Sequence, residues 1–175
     1  MGTSALITIE CADHPGLIAE VTGRLFDLGI NLGDTSFAVL NGQAEFSMVA
    51  GLPQGIALGD VDKELKSLPQ IKDAKLSVVP FTYNAVHTEQ EHVTHRVEIT
   101  GDDSPGLIAR LSEALPQFGA NIVRLNSESV PSDSGARFLL TMAIAVPPAK
   151  AATCMATVGN TASQLNLKCH WQQVG

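Results

Sequence analysis

Three kinds of residue are scarce in this chain, and each scarcity closes a class of function. Lysine and arginine number 11 against 18 aspartates and glutamates, a formal charge of −7. With no basic stripe to neutralise phosphates, direct binding to nucleic acid is not expected. Cysteine occurs only as Cys11, Cys154 and Cys169, with no C-x-x-C spacing. An odd, scattered set is not a disulfide framework, and the expected compartment is the cytoplasm. Aromatic residues make up 5% of the chain. On the middle strands only Phe37, Phe46 and Phe138 are available, too few for a base-stacking surface.

Other absences narrow the reading further. No apolar run reaches the roughly 18 residues of a membrane span, so no membrane association is expected. The opening "MGTSALITIECADHPG" has no basic region and runs straight into a patterned strand, unlike a signal peptide. Leu6 stands where a myristoylation motif needs Ser or Thr. There is no G-x-S-x-G elbow, no P-loop and no H-E-x-x-H, so the chain is read as a non-enzyme without cofactor or metal. His87, His92 and His95 cluster with Glu89 and Glu91. Their H-x4-H-x2-H spacing matches no defined zinc pattern and reads as a solvated linker.

What is present is a repeat. "DHPGLIAEVTGRLFDLGINL" near the start returns as "DSPGLIARLSEALPQFGANI" at a constant offset of 90. Asp13, Pro15, Gly16, Leu17, Gly29 and Asn31 match Asp103, Pro105, Gly106, Leu107, Gly119 and Asn121. The apolar stripe Leu17, Val21, Leu25 and Leu28 matches Leu107, Leu111, Leu115 and Phe118, the spacing of one helix face. A repeat this long implies two copies of one domain. The copies differ in charge. Residues 1–80 carry ten acids and five bases, whereas residues 95–175 carry six of each.

Each copy reads strand, helix, strand, strand, helix, strand. "ALITIE" and "HRVEIT" alternate as first strands, and Asn41-Gly42 signals a type I′ hairpin. Pro15 and Pro105 suit a first helical position, and Gly29 and Gly119 a left-handed helix end. Pro116 should end the second copy's first helix early. In the second helix the offset becomes 97, where Leu58, Val61, Leu65 and Leu68 match Met155, Val158, Ala162 and Leu165. The seven extra residues are expected in the loop from Pro131 to Gly135. The domain boundaries are 1–80 and 95–175, with a polar linker over 81–94. The fold class is α+β: two tandem ferredoxin-like βαββαβ domains, each an antiparallel sheet with helices on one face.

The strand, D-x-P-G-L turn, helix and G-x-N sequence resembles the ACT domain family. Two copies and little else resemble its small tandem regulators, typified by the glycine cleavage system transcriptional repressor. That resemblance implies a regulatory protein that senses a small amino acid, with glycine or serine as candidates. It implies ligand sites where the turn of one domain faces the start of the second strand of another, side-by-side association that allows a homodimer, and control of transcription by contact with a protein such as a transcription activator. The alternatives are a ligand-free ACT scaffold that binds a protein partner and a small enzyme of unrecognised type. Acylphosphatases share this fold but need an Arg-bearing phosphate cradle after the first strand, which neither turn has.

The turn has its own chemistry. A helix N-terminus favours a carboxylate, and Gly16 and Gly106 let a ligand approach the backbone. Asp13 and Asp103 can receive an ammonium group, and Asn31 and Asn121 offer one acceptor and two donors each. The candidate ligand residues are thus Asp13, His14, Gly16, Leu17 and Asn31, and Asp103, Ser104, Gly106, Leu107 and Asn121. The competing reading is structural. The aspartates would cap helices, Pro-Gly would only turn the chain, and the asparagines would only tolerate left-handed geometry. The copies differ at His14 against Ser104, where Ser suits an N-cap and His suits a ligand, a pH response or plain exposure. Cys11, ending the first strand, is either a small packing residue or a redox-sensitive thiol. Cys169 and Trp171 alternate on the last strand, facing the core or a partner.

Overall fold

A computed structural model describes residues 3–82, 92–132 and 135–174. Most of the expected linker, with His87, Glu89 and Glu91, lies outside the described residues, as do positions 133–134. The chain divides into two compact units between Tyr83 and Asn84.

The first unit runs β1 (Thr3–Ala12), α1 (Leu17–Asp27), β2 (Asn31–Leu40), β3 (Gln43–Leu52), α2 (Leu58–Lys66) and β4 (Lys75–Pro80). The second runs β5 (His95–Asp102), α3 (Leu107–Glu113), β6 (Asn121–Ser132), β7 (Gly135–Ala145), α4 (Ala151–Gln164) and β8 (Lys168–Gln173). Each sheet is antiparallel, ordered β2-β3-β1-β4 and β6-β7-β5-β8. This is the ferredoxin-like βαββαβ pattern, twice.

Period-two patterning makes the strands and period 3.6 the helices, and the two meet in one core per unit. Ala5, Ile7 and Ile9 of β1 are buried against Leu17, Val21 and Leu25 of α1 and Val61 and Leu65 of α2. Val97 and Ile99 of β5 are buried with Leu107 and Leu111 of α3 and Met155, Val158 and Ala162 of α4. Each fully buried aliphatic side chain contributes about 1.5–3 kcal/mol. Asn41 and Gly42 have φ of 50° and 79°, the left-handed pair of a type I′ turn.

Pro116 has the expected effect. Helix α3 stops at Glu113 and a 3-10 turn, Pro116–Phe118, follows, whereas α1 continues for 11 residues. Neither Pro15 nor Pro105 is helical; each precedes a glycine that caps the helix.

Strand registers align the units residue by residue. Ile7 pairs with Met48 and Val78, and Val97 with Met142 and Trp171. Subtracting positions, the offset is 90 for the first strands, 94 for the third and 93 for the fourth. Phe37 pairs with Phe46 and Ser127 with Leu140, so the second strands keep the offset of 90. The seven residues expected in one hairpin loop are therefore divided. Four lie in the β6–β7 hairpin and three before α4, and the α4–β8 connection is four residues shorter.

Candidate functional site

In the second unit the turn after β5 opens onto a cavity of about 260 Å³. Asp103, Ser104, Gly106, Leu107, Ile108 and Ala109 line one side; Ser127, Glu128 and Ser129 of β6 and Phe138 of β7 line the other. Leu107 and Phe138 are almost fully buried, an apolar floor beneath polar walls. The volume is below the roughly 300–1,000 Å³ typical of drug-sized ligands, so the space suits a small molecule.

Local bonds fix this shape. The Asp103 N–H donates to Ala136 O at 3.0 Å, tying the turn to the hairpin. Ser129 Oγ donates to Asp103 Oδ2 at 2.6 Å, tying it to β6. Gly106 caps α3 with φ 85°, and Gly16 caps α1 with φ 95°. This left-handed geometry explains the glycines by backbone conformation before any ligand is invoked. No side-chain hydrogen bond caps either helix, so the aspartates and Ser104 are not N-caps. At seven residues, α3 offers little macrodipole, and the expected carboxylate attraction is weak there.

The first unit has the same turn with different surroundings. Phe37, Ala38 and Val39 stand where the second has Ser127, Glu128 and Ser129. Phe37 is half-buried and packs edge-on against Phe46, with ring centroids 5.5 Å apart at 87°. Glu20 folds back over the turn: a methyl group on Gly16 would lie 3.8 Å from Glu20 Oε1. His14 Nδ1 donates to Pro15 O at 3.1 Å. His14 Nε2 and Glu20 Oε2 are buried, with no partner among the described residues. Burial first, and then the nearby Asp13 charge, push the Cys11 thiol up, which keeps it protonated and a poor nucleophile.

Of the sequence-derived candidates, the cavity gathers Asp103, Ser104, Gly106 and Leu107. Asp13, His14, Gly16 and Leu17 sit together at the first turn. Asn31 and Asn121 do not join their own unit's turn. Asn31 pairs with Gly51, which pairs with Ser4 at the start of β1, whereas the turn follows the far end, where Ala12 pairs with Gln43. Asn121 likewise pairs with Ala145, at the opposite end from Asp102 and Arg137. Neither asparagine has a positive φ.

His92 is exposed, while His95 is 4% exposed, bonded through Nδ1 to Thr94 Oγ1 at 2.9 Å and tilted against Trp171. Burial lowers its imidazole pKa. Among the described residues no three histidine, cysteine or acidic side chains converge as a metal site would need, and no helix is long and apolar enough to cross a membrane.

Sequence reasoning missed Ser127, Glu128, Ser129 and Phe138. The signal existed, since Phe37-Ala38-Val39 against Ser127-Glu128-Ser129 turns apolar into polar at the constant offset. The face these residues would occupy was not legible.

The ACT domain family profile matches residues 3–79 and again 96–172. The chain belongs to the ACT domain family. Both matched segments coincide with one βαββαβ unit each, so the chain is a tandem ACT-domain protein. That membership supports a regulatory role. Two solved structures share the architecture over nearly the whole chain. One, an uncharacterised protein from Galdieria sulphuraria, is 18% identical, with 100% of each chain covered and a TM-score of 0.78. The other, provisionally designated a glycine cleavage system transcriptional repressor, is 18% identical, covering 99% of this chain and 98% of its own, with a TM-score of 0.68. At such identities the likeness establishes the ACT fold. No curated protein matches the chain significantly.

Proposed function

We propose that this protein is a non-catalytic, amino-acid-responsive regulator in which the second ACT domain, spanning 95–175, is the sensing domain. The observation that carries the reading is the 260 Å³ cavity beside the second turn, with carboxylate and hydroxyl walls over an apolar floor. A small amino acid, glycine or serine, presents an ammonium group to Asp103 and hydrogen-bonding groups to Ser104 and Ser127. Binding there stiffens the contact between the turn and β6. A regulator then reports the change to a protein partner such as a transcription activator, without touching DNA and within the cytoplasm. Likeness to the designated glycine cleavage repressor supports placing that partner in control of glycine cleavage genes.

The first ACT domain, spanning 1–80, fits the ligand-free scaffold reading better, because Phe37 stands where the second domain has Ser127. The test is thermal melting with a full amino-acid panel, followed through the single tryptophan, Trp171, which lies in the second domain. Ligand at about one hundred times its dissociation constant should stabilise that domain by roughly 2.7 kcal/mol. If no amino acid at millimolar concentration moves the transition, the scaffold reading extends to the whole chain.

A further inference from the structure

We propose that Asn41-Gly42, at the tip of the β2–β3 hairpin, is a self-modifying site whose deamidation to isoaspartate releases the hairpin from the first turn. The proposal is independent of any ligand. Of the asparagines in the chain, Asn41 is the one followed by glycine. Both residues are exposed, and a methyl group built on Gly42 would meet nothing within 4 Å. Leu40 pairs with Gln43 across the tip, which leaves the Gly42 N–H outside the ladder and without a backbone acceptor among the described residues. Its nitrogen is therefore both open and uncommitted. The same glycine carries a structural bond. Gly42 O accepts the Asp13 N–H at 2.8 Å, which ties the hairpin tip to the D-x-P-G turn.

Rotation about the Asn41 ψ angle brings the Gly42 nitrogen to the Asn41 side-chain carbonyl carbon. The nitrogen attacks Cγ, an N–Cγ bond forms, and the Cγ–Nδ2 bond breaks. Nδ2 leaves as ammonia with the proton that the Gly42 nitrogen gives up. Water then opens the cyclic imide. Addition at Cγ gives aspartate, and addition at the main-chain carbonyl gives isoaspartate, in which the backbone runs through Cγ. Water is the only co-reactant, and the product gains one negative charge. Isoaspartate adds a methylene to a two-residue turn whose left-handed pair, φ 50° and 79°, sets the hairpin register. Gly42 O is then no longer held over the Asp13 N–H. Asn166 lacks these parts. It is also left-handed, with φ 58°, but the nitrogen that would attack belongs to buried Leu167 and already donates to Ala162 O at 2.9 Å. In the second domain the matching tie runs from the Asp103 N–H to Ala136 O, and residues 130–136 contain no asparagine. The device belongs to the first domain alone.

The test ages the full chain at mildly alkaline pH and follows it by peptide mapping with isoaspartyl methyltransferase labelling. Hydrogen exchange at the Asp13 amide reads the release. Asn41 should convert about tenfold or more faster than Asn166. Gly42→Ala should slow the conversion by about tenfold or more by crowding the attacking nitrogen, with the fold checked by circular dichroism. The isoaspartate fraction should lose protection at the Asp13 amide while the Asp103 amide keeps its own. Fresh Asn41→Asp carries the new charge on an unaltered backbone and should keep the Asp13 protection. Conversion of Asn41 no faster than that of Asn166 overturns the site. Isoaspartate at position 41 with Asp13 protection intact overturns the release, as does loss of that protection in fresh Asn41→Asp.

Discussion

In the first domain the side chain at the middle of the strand beside the turn is Phe37; in the second it is Ser127. Around this exchange the two domains share element order, strand order and a glycine-capped turn. The repeated Pro-Gly turn is therefore a property of the ACT fold, since both glycines are required by a left-handed backbone. What differs is the material packed beside it. In the first domain an aromatic pair and a folded-back Glu20 stand beside the turn, while in the second Ser127, Glu128 and Ser129 border a cavity. The same turn recurs in both domains, and the side chains of the neighbouring strand decide what packs beside it.

The sharpest way to break this comparison is to make the second domain resemble the first. Ser127→Phe should remove the whole ligand stabilisation, about 2.7 kcal/mol at one hundred times the dissociation constant, with the unliganded Trp171 transition retained. The reverse change, Phe37→Ser, should destabilise the first domain by about 2 kcal/mol, roughly half the cost of emptying a fully buried phenylalanine site. Denaturant titration by circular dichroism should show it as an early transition that Trp171 fluorescence does not follow. If Phe37→Ser also creates a second binding event in calorimetry, the strand residue is sufficient to make a site.

A third exchange concerns packing. Gly101 corresponds to Cys11, but a Cβ at Gly101 would lie 2.5 Å from Leu167 Cδ2 and 3.3 Å from Leu167 Cα. Gly101→Cys should cost the second domain on the order of 1–3 kcal/mol by overpacking. Cys11 is accommodated at its own position beside Ala44. A Trp171 melting curve unchanged by Gly101→Cys would show that Leu167 moves aside freely.

A smaller difference depends on pH. His95 is buried in the second domain, and burial holds its pKa below the ordinary 6.5. The unfolded chain then binds a proton that the folded domain resists. Stability from neutral His95 is complete above about pH 6.5 and declines as pH falls through that value toward the folded pKa. Melting at pH 7.5 and 5.5 should show the decline, and His95→Gln should flatten it. The smallest effect is salt sensitivity. Arg24 and Glu64 join α1 to α2 at 2.8 Å, whereas Ala114 and Thr161 stand at the matching offsets of 90 and 97. Both groups are about a third exposed, so Arg24→Ala should cost less than about 1 kcal/mol. That loss should shrink further at high salt, as surface ion pairs do.

The sequence by itself determined the frame. Apolar spacing set two cores, Asn41-Gly42 set a hairpin, Pro116 shortened α3, and the offset of 90 announced two domains. These features are local or periodic, so each is written in consecutive residues. Only the tertiary structure decided which residues share a site. Asn31 and Asn121 follow helices that begin at the turns, yet β2 and β6 start at the opposite end of the sheet, because a helix carries the chain back along the strand before it. Ser127, Glu128 and Phe138 are remote from the second turn in sequence and become its neighbours through the β6–β7 register. The cavity arises because small side chains at Ser127 and Ser129 face a turn more than 20 residues earlier, and an unfilled volume exists only once both walls are in place.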